Sequence, residues 1–101
     1  MIKITYAKTK KGIKHLVVIG HANSNDYGKD VICAGVSAIV IGGANALKVS
    51  KKSKIKIEEG YAEIKLDPNE VEKNKQKFEV ILIQLKSIAE SYPKKVKIIR
   101  E

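Results

Sequence analysis

"IKHLVVIGHANSNDYGKDVICAG", Ile13 to Gly35, changes character twice, and the two changes set the fold. Up to Gly20 the chain is almost continuously apolar and rich in β-branched residues, the pattern of a strand central in a sheet or covered on both faces. His21 stands at the end of that strand. The next residues, Ala22, Asn23, Ser24, Asn25, Asp26, Tyr27, Gly28 and Lys29, have no apolar period, so they read as a loop with Gly28 as its pivot. Asp30 then precedes "VICAGVSAIVIGGANALKV", a helix-compatible run for which an aspartate is a natural N-cap. Strand, polar loop and helix follow one another, with His21 before the loop and Cys33 in the first helical turn after it.

Working outward, "IKITY" at 2–6 alternates and "KTKKG" at 8–12 reads as a turn, so the chain opens with a β-hairpin. Residues 52–66, "KSKIKIEEGYAEIKL", form two more alternating strands joined near Gly60. "DPNE" at 67–70 predicts a helix start, with Asp67 as N-cap, Pro68 at the first helical position and Glu70 closing a capping box. Val71, Phe78, Ile81, Leu82, Leu85, Ile88, Ala89 and Tyr92 continue at helical spacing until Pro93, an amphipathic helix of about six turns. "KVKII" at 95–99 supplies a fifth strand. The order β-β-α-β-β-α-β predicts a single α+β domain over residues 1–101, two helices packed on a mostly antiparallel sheet. The first helix is apolar on almost every face and carries Ala34, Gly35, Ser37, Ala38, Gly42, Gly43, Ala44 and Ala46. It is expected to bury one side on the sheet and the other on the second helix or on a symmetric copy of the chain.

Composition narrows the function. A chain of 101 residues with 44% hydrophobic and 31% charged residues folds as one core and is too apolar for intrinsic disorder. Its longest apolar run, Val31 to Leu47, is interrupted by Ser37, Gly42, Gly43 and Asn45, and is shorter than the roughly 20 residues that cross a bilayer. The N-terminal stretch alternates and lacks an apolar h-region, so a cytoplasmic protein is expected. One cysteine with two histidines and no clustered carboxylates is a poor inventory for a metal site, and no cofactor is expected. The net charge of +9 raises the question of an acidic partner. The basic residues are scattered, and only Arg100 offers a planar fork, which argues against sequence-specific nucleic-acid recognition and leaves a general attraction to RNA.

Cys33 and His21 are the candidates for chemistry. A helix start favours an anion, and it is one of the settings that lower a thiol's pKa toward the nucleophilic thiolate. A nearby imidazole serves as general base or as a cation beside that thiolate. Against this, free cysteines are commonly buried, and Cys33 is flanked by Val, Ile and Ala, so on the residues alone packing outweighs the dyad. Asp30 either caps the helix or orients His21, and Ser37, one turn beyond Cys33, either lines the thiol's surroundings or packs as a small residue. His15 lies within the apolar strand and reads as an edge or surface residue.

The run Gly20-His21-Ala22, then Tyr27-Gly28-Lys29-Asp30-Val31-Ile32-Cys33-Ala34-Gly35-Val36-Ser37-Ala38, then Asn45-Ala46, closely resembles the ribosomal-processing cysteine protease family, called Prp or YsxB-like. The resemblance rests on Gly-His-Ala, a polar loop and Gly-x-Asp-x-x-Cys-Ala in that order, and outside residues 20–47 it lies only in pattern. It implies a homodimeric cytosolic endopeptidase. Such an enzyme removes a short N-terminal extension from a large-subunit ribosomal protein near the peptidyl-transferase centre, cutting after an apolar-aromatic stretch. It implies Cys33 as nucleophile, His21 as base and later acid, Asp30 and Ser37 in support, backbone N–H groups at the helix start including that of Cys33 as oxyanion donors, and the 22–29 loop closing on the peptide. Two other classes stay open on the residues: a non-catalytic ribosome- or RNA-associated module, suggested by the lysines, and a redox-sensing thiol.

Overall fold

The computed structural model describes residues 1–21 and 30–101; the expected substrate loop, Ala22 to Lys29, lies outside the described residues. β1 (Ile2–Thr9) and β2 (Gly12–Gly20) form an antiparallel hairpin turning at Lys10 and Lys11. Its register slips by one residue between Ala7 and Lys8. That bulge lets both Ile13 and Leu16 face the core and leaves His15 on the opposite face. α1 (Val31–Ala46) follows, then the hairpin of β3 (Lys54–Glu58) and β4 (Tyr61–Lys65), α2 (Lys75–Ser91) and β5 (Val96–Arg100). The five strands lie in the order β3-β4-β2-β1-β5, all neighbours antiparallel except β1 and β5, which are parallel. The α+β architecture expected from the pattern is therefore the one observed.

β2 is the central strand, which accounts for its apolar run, but it is covered on one face only. Leu16 and Val18 are buried with Ile2, Ile4 and Ile64 against both helices, whereas Val17 is half-buried and Ile19 is 49% exposed on the uncovered face. α1 likewise sets one stripe on the core and packs a second side on α2, the first of the two partners expected for it. Ile32, Val36, Val40 and Ala44 form its single buried stripe, and the opposite face, with Val31 and Ile41, is open. Its partner within the chain is α2, approached so closely that a Cβ on Gly43 would lie 2.6 Å from the Ile81 side chain. α1 ends at Ala46 with Leu47 as C-cap, so Val49 falls outside the helix.

The start of α2 departs further from the sequence reading. Asp67 does cap, its Oδ2 accepting from Asn69 N at 3.0 Å, but it caps only a 3-10 turn, Pro68–Glu70. A second 3-10 turn, Glu72–Asn74, intervenes before α2 begins at Lys75. The cause is the fully buried Asn74. Its Nδ2 donates to the Glu70 carbonyl at 2.8 Å, the acceptor an α-helix would give to Asn74 N, and Asn74 N turns instead to the Val71 carbonyl at 3.2 Å. The same amide side chain pairs with Lys48, accepting from its N at 2.8 Å and donating to its carbonyl at 2.9 Å. Glu70, expected to close a capping box, reaches into the same loop. It accepts from Ser50 N at 2.9 Å and from Ser53 Oγ at 2.6 Å, and Ser53 Oγ in turn accepts from Asp67 N at 2.8 Å. A serine hydroxyl thus stands between the cap residue and the glutamate that would have reached it directly. These hydrogen bonds hold the glutamate carboxyl below its ordinary range, Ser53 contributing most.

Candidate active site

Of the residues singled out in the sequence, His21, Cys33 and Ser37 converge at one end of the sheet. β2 delivers His21 there because its last residue, Gly20, adopts φ +104, and a Cβ at that position would collide with the Met1 carbonyl. α1 delivers Cys33 because Asp30 starts the helix, with extended backbone at the cap and its Oδ1 accepting from Ile32 N at 3.1 Å and Cys33 N at 3.0 Å. His21, Cys33 and Ser37 line one open cavity of about 500 Å³. Val18, Val36, Val40 and Ala62 form its apolar floor, and the β3–β4 hairpin, from Ile57 to Tyr61, forms its far wall. The volume falls in the range of ordinary ligand sites, roughly 300–1,000 Å³.

Cys33 combines what the two sequence readings offered separately. It is half-buried and packs partly against the core, yet it also forms part of the cleft wall. His21 is exposed at the cleft mouth. Asp30 is the helix cap. Ser37 is exposed one turn from Cys33, on the same side of α1. The cap corrects one expectation. Cys33 N–H, expected as an oxyanion donor, is engaged by the Asp30 carboxylate, so as the cap stands it is not offered to a substrate. The same carboxylate occupies the helix end that would otherwise favour a thiolate.

His15 sits elsewhere. It lies on the uncovered sheet face in the central strand, its Nε2 2.7 Å from Glu63 Oε2. That hydrogen bond, more than any other cause, holds the Glu63 carboxyl below its ordinary range, with Lys54 Nζ, 3.3 Å from Oε1, acting in the same direction and burial opposing it. No group of three or more metal-ligating side chains occurs among the described residues. The residues the sequence reading missed are those of the β3–β4 hairpin, Ile57, Glu58, Glu59, Gly60 and Tyr61. They lie far along the chain, and the only local mark they carry is the turn glycine.

The family model described as cysteine protease Prp matches residues 1–97. The chain belongs to the Prp cysteine protease family. A Bacillus subtilis relative named ribosomal processing cysteine protease Prp is 33% identical over 101 residues, covering 91% of this chain and 90% of that protein. A Mycoplasma genitalium relative of the same name is 35% identical over 103 residues, covering 100% and 97%. Among solved structures, a Staphylococcus aureus Prp with a covalently linked product peptide superimposes with a TM-score of 0.88. At 24% identity over the whole of both chains, that likeness supports the fold. A Streptococcus mutans protein at 31% identity, with a TM-score of 0.75, covers 100% of this chain and 96% of its own. The Prp assignment makes this chain a cysteine protease, as the Gly-His-Ala and Asp-x-x-Cys-Ala segments led one to expect.

Proposed function

We propose that this chain is an endopeptidase that removes a short N-terminal extension from a large-subunit ribosomal protein in the cytoplasm, with Cys33 as nucleophile and His21 as general base and acid. One observation carries the assignment of the pair. The chain's single cysteine lines a cleft with one of its two histidines, while the other histidine is paired to Glu63 on the far face of the sheet. The ribosomal substrate is supported by the relatives, which are named for ribosomal processing.

In this reading the Cys33 Sγ proton passes to His21 as Sγ attacks the scissile carbonyl carbon, and the carbonyl oxygen takes up the negative charge. His21 returns the proton to the leaving amine, the C–N bond breaks, and a thioester joins the extension to Cys33. Water, deprotonated by His21, then releases the extension as a carboxylic acid and restores the thiol. The apolar floor of Val18, Val36, Val40 and Ala62 suits an apolar side chain beside the bond cut. Asp30 fixes the helix turn on which Cys33 stands, and Ser37 borders the same cleft. The 22–29 segment, joining His21 to Asp30, is assigned to closing over the peptide. The enzyme is further assigned as a homodimer; Val80 and Ile83 on α2, 53% and 61% exposed, supply apolar surface for a second copy. Sedimentation velocity tests that assignment, and a chain that stays monomeric at all concentrations defeats it.

The deciding experiment is incubation with a peptide spanning the extension and the first residues of the mature ribosomal protein, read by mass spectrometry. One cut at the boundary is expected, with loss of cleavage in Cys33→Ala, Cys33→Ser and His21→Ala. Cleavage that survives in Cys33→Ala overturns the mechanism.

A further inference from the structure

The tip of the β3–β4 hairpin lies directly against the His21 ring. Gly60 adopts φ +73, a conformation that L side chains rarely take, and its carbonyl accepts from Gly20 N at 2.9 Å, so the turn is tied to the residue preceding the histidine. A Cβ placed on Gly60 would lie 2.8 Å from His21 Nε2, 3.4 Å from Cε1 and 3.6 Å from Cδ2. The first of these is closer than real Cβ atoms come to their neighbours. The imidazole therefore rests its Nε2 edge on a surface that exists because residue 60 has no side chain. The backbone beneath the ring is fixed as well, since Gly20, at φ +104, is packed against Met1.

We propose that Gly60 is a positioning residue for the cysteine protease reaction: by presenting bare backbone to His21, it sets the orientation in which the imidazole exchanges a proton with Cys33. The inference rests on the reading of His21 as the base. Any side chain at position 60 must push the ring out of its seat or bend the hairpin that forms the far wall of the cleft. Displacements of about 1 Å in a catalytic group commonly cost on the order of a hundredfold in rate. Gly60 touches no substrate in this account; it acts through the ring it supports.

Gly60→Ala, Gly60→Ala in a His21→Ala background and each parent are compared by peptide cleavage, by the rate of Cys33 alkylation with iodoacetamide against pH, and by thermal unfolding. With His21 present, Gly60→Ala is expected to lower kcat about tenfold to a hundredfold with KM little changed, and to move the alkylation profile toward that of His21→Ala. With His21 replaced, the same substitution is expected to leave the alkylation profile where it was and to depress the melting temperature less than in the parent, because the obstructed ring is gone. A folded Gly60→Ala protein with parental kcat and alkylation profile overturns the proposal. So does an equal fall in melting temperature in the two backgrounds, which would mean backbone strain alone. If His21→Ala itself cleaves at the parental rate, the assignment of the base fails; if it is inactive while Gly60→Ala is fully active, only the role of Gly60 fails.

Discussion

Both helices of this protein are announced by the same local signal, an aspartate followed by helix-forming residues, and the two sites put it to opposite uses. At Asp30 the cap closes directly onto an α-helix, its Oδ1 taking the N–H groups of Ile32 and Cys33, and the turn it starts borders an open cleft. At Asp67 the cap starts a 3-10 turn, and the α-helix is deferred to Lys75 while Glu70 and Asn74 bind the loop from Lys48 to Ser53. Buried polar side chains make the second helix start a structural joint. The first carries a half-buried thiol at an open cleft, so its stability and its reactivity are separable quantities.

Cys33→Ala should break that comparison most sharply. Cleavage of the precursor peptide should fall by about 10³-fold or more, while the melting temperature moves little, since a methyl group replaces a half-buried thiol. At the other helix start the effect should appear wholly in stability. Asn74→Ala removes an amide that makes three hydrogen bonds to Lys48 and Glu70 backbone groups, and urea unfolding should show a loss of about 3 kcal/mol with Cys33 alkylation unchanged.

Acid should weaken both the structural joint, through Glu70, and the uncovered sheet face, through Glu63. The Glu70 and Glu63 carboxyls are held below their ordinary range, so their contribution to stability is fully present above the unfolded carboxyl pKa and is lost as pH falls through the lower folded values. Unfolding measured between neutral pH and about pH 2 should show this acid limb, and Glu70→Gln should flatten it relative to the parent. Asp30 offers a finer cut. Asp30→Ala should cost about 1 kcal/mol through the lost cap, and Asp30→Asn, which keeps an accepting oxygen, only a few tenths. Cleavage retained in Asp30→Asn identifies the residue as a cap; cleavage lost in a stable Asp30→Asn gives its charge a part in the chemistry. Asp67→Ala, which frees one 3-10 N–H, should be the mildest of the alanine substitutions, at about 0.5 kcal/mol with unaltered cleavage.

The elements were legible wherever the period of the sequence and the burial agree. The strand that ends before His21 and the helix that carries Cys33 follow from residues adjacent in sequence, and so does the placement of Ser37 one turn beyond the thiol. The start of α2 was misread because a capping box and a buried loop anchor use the same residues. Only the chain folding back at Ser50 and Ser53 decides that Glu70 turns outward to them. The apolar run of β2 left two readings open, a central strand or one covered on both faces, and only the strand order decides for the first, because apolar content does not say how many layers a sheet has. Gly60 was legible as a turn and invisible as a neighbour of His21, a relation created by β4 pairing alongside β2.

The parallel pairing of β1 with β5 has a consequence for how the protein comes into being. Ile2 lies opposite Val96, so one edge of the sheet is completed only when the two extremes of the described fold meet. Closing so long a loop is entropically slow, and pairings of this kind place a protein among the slower folders for its size. During synthesis β1 must wait, paired on one side with β2 and open on the other, until β5 has left the ribosome. Refolding started from the full chain should therefore outpace acquisition of the native state on the ribosome, where the supply of β5 sets the clock.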